Sequence, residues 1–263
     1  MLGRGIIGVP EVASNLQICK GIAVQNHSYT IADEVFARFP GYVRGVVVAH
    51  GVSNNPSPAD LVALLRAAEE EVRRTVNAAT IAEHPRIRAW RAAFRAFGAK
   101  PSEFRSSIEA LARRATRGDL LPAINALVDI GNIVSLRHLL PAGAHAIDAL
   151  TEDLWLRPAT GVEVFTALDG EAVEHPVPGE VILAQGEQVL TRRWVWRQGI
   201  ATLIQPGTTA VEVNVDGLPP VTVAEVEETC CEVAALVERF CGGRTRWEIL
   251  SAQYSSMSLT EEG

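Results

Sequence analysis

Histidine is the side chain best suited to proton chemistry near neutral pH. Two of the six in this chain, His138 and His145, stand seven residues apart, and Asp148 follows three residues later. Pro141 interrupts the run between the two histidines, and the spacing matches no familiar ligand pattern, so no metal is expected. His145 comes just after a Pro-Ala-Gly break and is therefore expected in a loop. An imidazole there can orient or deprotonate a water, or it can hold the loop through a backbone hydrogen bond. A second cluster is RRWVWRQG, from Arg192. Read as a strand, it sends Trp194 and Trp196 to one face and Arg193, Val195 and Arg197 to the other. Arginine beside aromatic rings suits a base or a planar ligand. It suits a cross-strand packing ladder equally well.

The element that delivers His145 is a helix expected from about Pro122. Ile124, Leu127, Val128, Ile130, Ile133, Val134 and Leu136 occupy most of its circumference, which predicts burial. Asn125, Asp129, Asn132 and Ser135 form one polar stripe along it. Buried polar groups need partners. For Asp129 the expectation is a structural hydrogen bond. Asn132, nearest the break at Pro141, either does the same or lines a wet cavity.

Upstream, YVRGVVVAHGV from Tyr42 reads as a buried strand closed by Gly51. Ser57 is expected to cap a helix whose face of Leu61, Leu64, Leu65, Ala68 and Val72 packs inward, with Glu69 and Glu70 outward. His84 to Phe97 predicts another helix, ended by Gly98. Ser102 is expected to cap the next, with Arg105, Glu109 and Arg113 along one stripe. After Leu150 short β-rich runs alternate with turns, including a hairpin signal at Asp169-Gly170. VTVAEVEETCCEVAALVERFCGG then predicts an amphipathic helix, and the tail after Trp247 reads as partly disordered. Together these predict one α+β domain over residues 1–263, helical in its first half and sheet-rich in its second.

Composition narrows the function classes. Apolar residues make up 48% and charged residues 21%, ordinary for a globular chain. No apolar run is long enough to span a bilayer, and MLGRGIIGVP is too short and Gly-rich for a signal peptide, so a cytoplasmic protein is expected. The four cysteines contain no CxxC pair, which speaks against zinc and for small buried hydrophobes. Net charge is −7, unusual for a chain that grips phosphates over a wide surface. Even so, nine Lys and Arg lie between His84 and Arg117 against Glu103 and Glu109, a local basic face. No Walker loop, GxGxxG or GxSxG is present.

The run VDIGNIVSLRHLLPAGAHAID resembles VDxTNYVxxxxGxPxHAFD, a segment of the B3/B4 domain in the β subunit of bacterial phenylalanyl-tRNA synthetase. The stretch KPSEFRSSIEALARRATRGDLLPAINALVDIGN is closer still to freestanding B3/B4 proteins. The resemblance covers residues 81–218, with residues 1–80 as an N-terminal part of the same domain and 219–263 as a C-terminal helix and tail. It implies a mixed sheet-sandwich core flanked by helices. It also implies an editing site, which in the synthetase hydrolyses tyrosine wrongly esterified to tRNA(Phe). By position, His145 matches the editing histidine and Asn132 an asparagine of the pocket. The family's Gly-Gly-Glu segment, whose glutamate recognises the tyrosine hydroxyl, is absent. WVWRQGIA stands there, with Arg197 or Gln198 nearest. A site lacking that polar contact loses its means of telling tyrosine from phenylalanine.

The resemblance thus implies a tRNA-binding protein that deacylates mischarged tRNA in trans, with no cofactor and no ligase activity of its own. His145 would act on the water. Asn132, Arg193, Trp196, Arg197 and Gln198 would hold the aminoacyl end, and Arg105 and Arg113 would face the RNA. A non-catalytic tRNA or amino-acid binder, or a small-molecule hydrolase without RNA binding, are the alternatives.

Overall fold

The computed structural model describes residues 26–168 and 173–261. In chain order the elements are β1 (Ser28–Ile31), α1 (Asp33–Arg38), β2 (Val43–His50), α2 (Ala59–Thr75), α3 (Pro85–Ala96), α4 (Ser107–Thr116), α5 (Ala126–His138) and β3 (Ala142–Ala146). There follow β4 (Leu154–Pro158), β5 (Phe165–Thr166), β6 (Val173–Glu174), β7 (Val181–Gln185), β8 (Gln188–Arg192), β9 (Arg197–Gln198), β10 (Ala210–Gly217), α6 (Val223–Cys241), β11 (Arg244–Leu250) and β12 (Ser256–Ser258). The expected order of helices then strands holds between α2 and β10. The Asp169-Gly170 signal lies outside the described residues.

Two sheets form the core. One has the order β11-β2-β10-β3 and the other β12-β1-β4-β7-β8-β9, while β5 and β6 pair by themselves. The β-branched run of β2 lies between β10 and β11, and Val46, Val47 and Val48 are fully buried. The chain of β10, AVEVNVDG, alternates strictly. Val211, Val213 and Val215 point to one face and Glu212, Asn214 and Asp216 to the other. The apolar face is covered by α6. Gly45 makes that approach possible, because a Cβ there would lie 2.1 Å from Cys230 Sγ. A reciprocal capping box between Thr222 and Glu225 starts α6, and its inward row is Val226, Cys230, Val233 and Val237.

The other face of this sheet meets the six-stranded sheet, and it is polar. Arg44 Nε and Nη2 donate to the two Asp216 carboxylate oxygens at 2.7 and 2.9 Å. Tyr42 Oη donates to Asp216 at 2.5 Å, and Asn214 Nδ2 does so at 3.0 Å. Arg44 also reaches the Tyr29 hydroxyl across the sandwich, from β2 to β1. Arg44 and Asp216 are 1% and 0% exposed, so each charge depends on the other.

Several local expectations need correction. The second half of α2 does not turn Glu69 to solvent. Glu69 is buried and accepts from the backbone N–H of Leu121 at 2.5 Å, meeting a donor that would otherwise be orphaned. Ser57 does not cap α2; its hydroxyl donates to Asp129 at 2.5 Å. α4 starts at Ser107 and is capped by Ser106, not Ser102, so Arg105 precedes the helix. α5 starts at Ala126, with Asn125 as the N-cap accepting from Val128 N at 3.0 Å. The tail is ordered through Glu261. β11 pairs antiparallel with β2 and β12 with β1, because Trp247, Ile249 and Met257 add apolar surface to the sheet edges. β1 and α1 were not foreseen either; Tyr29, Ile31, Val35 and Phe36 belong to the core.

Candidate functional site

The site begins at the end of α5. Leu139 closes the helix in the left-handed region, at φ +50°, and the chain turns through Pro141 into β3. Ser135, fully buried on the last turns of α5, accepts from Ala142 N at 3.0 Å and ties the helix to the strand. His145 is thus on a strand rather than in a loop. It pairs with Glu212 of β10, and Gly143 pairs with Asn214. Paired residues share a face, so His145 projects between the two sheets.

There it meets three side chains, two of them on the other sheet and Thr202 in the turn after β9. Its Nδ1 lies 2.6 Å from Thr202 Oγ1 and 3.3 Å from Gln198 Nε2, and its Nε2 lies 3.1 Å from Thr191 Oγ1. Thr191 and Gln198 are themselves cross-strand partners on β8 and β9. Burial, reinforced by the nearby Arg44 charge, pushes the His145 imidazole down to about 3. It is neutral at any physiological pH.

A cavity of about 190 Å³ opens beside this imidazole. Its polar end is built from His145, Thr191, Gln198, Asn214 and Arg44, and its walls from Trp194, Trp196, Leu183 and Pro141. Ser107, the first residue of α4, also lines it. Apolar cavities of about 150 Å³ hold benzene, so this volume suits one amino-acid side chain.

The WVW stretch forms this wall in a way the alternation pattern does not describe. β8 ends at Arg192, and Arg193 and Trp194 both adopt positive φ, +47° and +66°. Two successive left-handed non-glycine residues cost roughly 1–3 kcal/mol each. Glu180 holds them: it accepts from Arg192 Nε at 2.9 Å and Nη2 at 2.8 Å, and from Arg193 N at 3.1 Å. The turn separates the two tryptophans. Trp194 goes into the core, edge-on to Trp90, Tyr42 and Phe39. Trp196 packs on Phe104, and the Arg193 guanidinium lies 3.6 Å from the Phe104 ring centroid and 4.3 Å from that of Trp196.

The residues singled out by sequence are therefore distributed as follows. His145, Trp196, Arg197 and Gln198 meet around the cavity, and Arg197 also contacts Glu174 at 3.4 Å. Arg193 stands behind Trp196 and does not line the cavity. Asn132 is half-buried on α5 and is also outside the lining; Asn214 supplies the amide at the cavity's polar end. Arg105 is exposed, two residues before Ser107. Arg113 is committed to the buried Glu109 carboxylate, which accepts from it at 2.9 Å and from Arg91 at 2.8 Å. His138 and Asp148 are remote from each other's chemistry: His138 pairs with Glu232 at 2.6 Å, and Asp148 accepts from Thr209 N at 2.7 Å. Among the described residues no group of three His, Cys, Asp or Glu side chains could hold a metal ion. Thr191, Thr202, Asn214 and Arg44 were not foreseen. The polar alternation E-V-N-V-D in β10 and the lone arginine in a valine-rich strand were the signals for two of them.

Residues 89–247 match the B3/4 domain family, more than half of the chain. The chain belongs to the B3/4 domain family. The match starts inside α3 and ends in β11, so it contains α5, β3, the WVW turn and the whole cavity except Arg44. The structure is also similar to an N-terminal fragment of the phenylalanyl-tRNA synthetase β subunit from Pyrococcus horikoshii. That similarity has a TM-score of 0.42 and 11% identity, and it covers 84% of this chain and 51% of the fragment. The B3/4 chain thus spans about half the length of that fragment. No curated protein matches. Among the described residues no helix is long and apolar enough to cross a membrane.

Proposed function

We propose that this B3/4 protein binds the aminoacylated 3′ end of tRNA and hydrolyses the ester of a mischarged amino acid. The observation that carries the reading is the cavity itself. It has room for one side chain, aromatic walls, and a neutral buried histidine at its polar end. Hydrolysis of an activated ester needs a positioned water and donors for the developing oxyanion, and no covalent nucleophile. The two buried cysteines fit that reading, since burial raises the thiols of Cys230 and Cys241 to about 12 and 11 and neither lines the cavity. His145 orients the polar end where the water binds, Gln198 and Asn214 hold polar atoms of the aminoacyl group, and Trp196 and Arg197 stand at the wall. Arg105, exposed beside Ser107, takes a phosphate of the RNA.

A second reading, a tRNA or amino-acid binding module without turnover, has one observation in its favour: both ring nitrogens of His145 already have partners. Deacylation of a panel of mischarged tRNAs separates the two. Hydrolysis of at least one member above its spontaneous rate supports editing. Binding with no acceleration supports the module. A salt titration addresses the RNA directly. Phosphate contacts make affinity fall steeply with salt, whereas a flat response supports a small-molecule hydrolase.

A further inference from the structure

We propose that Thr191 is the hydrogen-bond donor that the cavity presents to a bound carbonyl oxygen, and that Gln198, Thr202 and His145 form the relay that sets its direction. The inference rests on the cavity being a ligand site and adds to it the class of atom recognised.

The direction follows from the Gln198 amide. Its Nε2 donates to the carbonyl of Ala144 at 2.9 Å and approaches that of Thr202 at 3.4 Å. Two carbonyls face this atom, so it is the NH2 end of the amide and can only donate. Its second N–H faces His145 Nδ1 at 3.3 Å as well as the Thr202 carbonyl, which favours Nδ1 as the unprotonated ring nitrogen. In that tautomer the Thr202 hydroxyl, 2.6 Å from Nδ1, donates to it as well. A neutral imidazole carries one N–H, here on Nε2. That N–H donates to Thr191 Oγ1 at 3.1 Å.

Thr191 thus accepts from the interior. Its own proton is free to leave on the side facing the cavity, which it lines, and its hydroxyl has no second partner among the described residues. A hydroxyl held in this way turns its proton toward the cavity, with one of its two lone pairs already taken. It fits the carbonyl of an amino-acid ester or amide. His145 is then a positioning residue: it acts through Thr191 and has no free lone pair toward the cavity. His145 is separated by 46 residues from Thr191 and by 53 from Gln198, which explains why no local motif announces the relay.

The tautomer is directly measurable. In the full chain labelled with [15N]histidine, long-range proton–nitrogen spectra distinguish the two ring nitrogens, and His145→Gln identifies the signal. The expected result is a protonated Nε2 and a bare Nδ1, unchanged between pH 6 and 8 and unchanged in Thr191→Val. An Nδ1–H tautomer overturns the proposal, because Thr191 would then have to donate inward. A kinetic arm uses the mischarged tRNA that the native chain hydrolyses fastest. Thr191→Val should lower kcat/KM roughly tenfold, the scale of one lost hydrogen bond to a reacting group, while Thr191→Ser keeps the native value. Native rates in Thr191→Val also overturn the proposal. If the native chain hydrolyses no member of the panel, the editing reading fails, and the tautomer alone decides the relay.

Discussion

Glu212 sits opposite His145 in the sandwich interior, is 0% exposed, and neither of its carboxyl oxygens has a hydrogen-bond partner among the described residues. Burial raises its carboxyl from the ordinary 4.5 to about 8; the Arg44 charge opposes the rise, and Asp216 adds to it. The folded chain therefore keeps a proton that the unfolded chain has already released. Stability is fully present below the unfolded value and falls as pH rises through the folded one. Over that whole span the loss approaches about 5 kcal/mol, at about 1.4 kcal/mol per pH unit. Between pH 6 and pH 8 it is about 2 kcal/mol. Glu212→Gln keeps the shape and removes the titration. Urea unfolding of both chains at the two pH values tests this. The native chain should lose about 2 kcal/mol more than the variant between them. Equal losses in the two chains would show that Glu212 is ionised in the folded state, and so is solvated or paired.

His145 gives the opposite slope. Its folded value, depressed to about 3, means that stability is present above the unfolded value and lost as pH falls from about 6.5 toward 3; His145→Gln should flatten this limb in acid melts monitored by circular dichroism. Asp216→Ala leaves the Arg44 charge buried without its bidentate partner and should cost about 3–5 kcal/mol in denaturant unfolding. Gly45→Ala places a methyl against Cys230 Sγ and should destabilise by about 1–3 kcal/mol. Adding Cys230→Ala should recover part of that loss, and strict additivity of the two would contradict the packing described.

The elements that carry their own pattern were legible in the sequence. The helical apolar rows of α2, α3 and α6 and the valine run of β2 appear where their periodicity puts them. His145, Trp196, Arg197 and Gln198 were drawn from two short motifs and meet at one cavity. What was not legible depends on pairing at long range. β1 and β12 are short and lack periodicity, yet they become strands by hydrogen bonding to each other across more than 200 residues of chain. The WVW turn has no glycine to announce its positive φ values; Glu180, 13 residues earlier, imposes them. Asn132 and Asn214 illustrate the same limit. The first is on the helix that the family motif highlights, and the second is the amide that the β10–β3 register brings to the cavity.

On the proposed function, the cavity beside His145 handles an ester-linked amino acid. The most direct measurement is the rate of deacylation of a mischarged-tRNA panel by the native chain and by His145→Ala, side by side under single-turnover conditions. At least one aminoacyl ester should be cleaved well above its spontaneous rate, and His145→Ala should lose most of this acceleration. Spontaneous rates across the whole panel, or full activity in His145→Ala, would contradict that function.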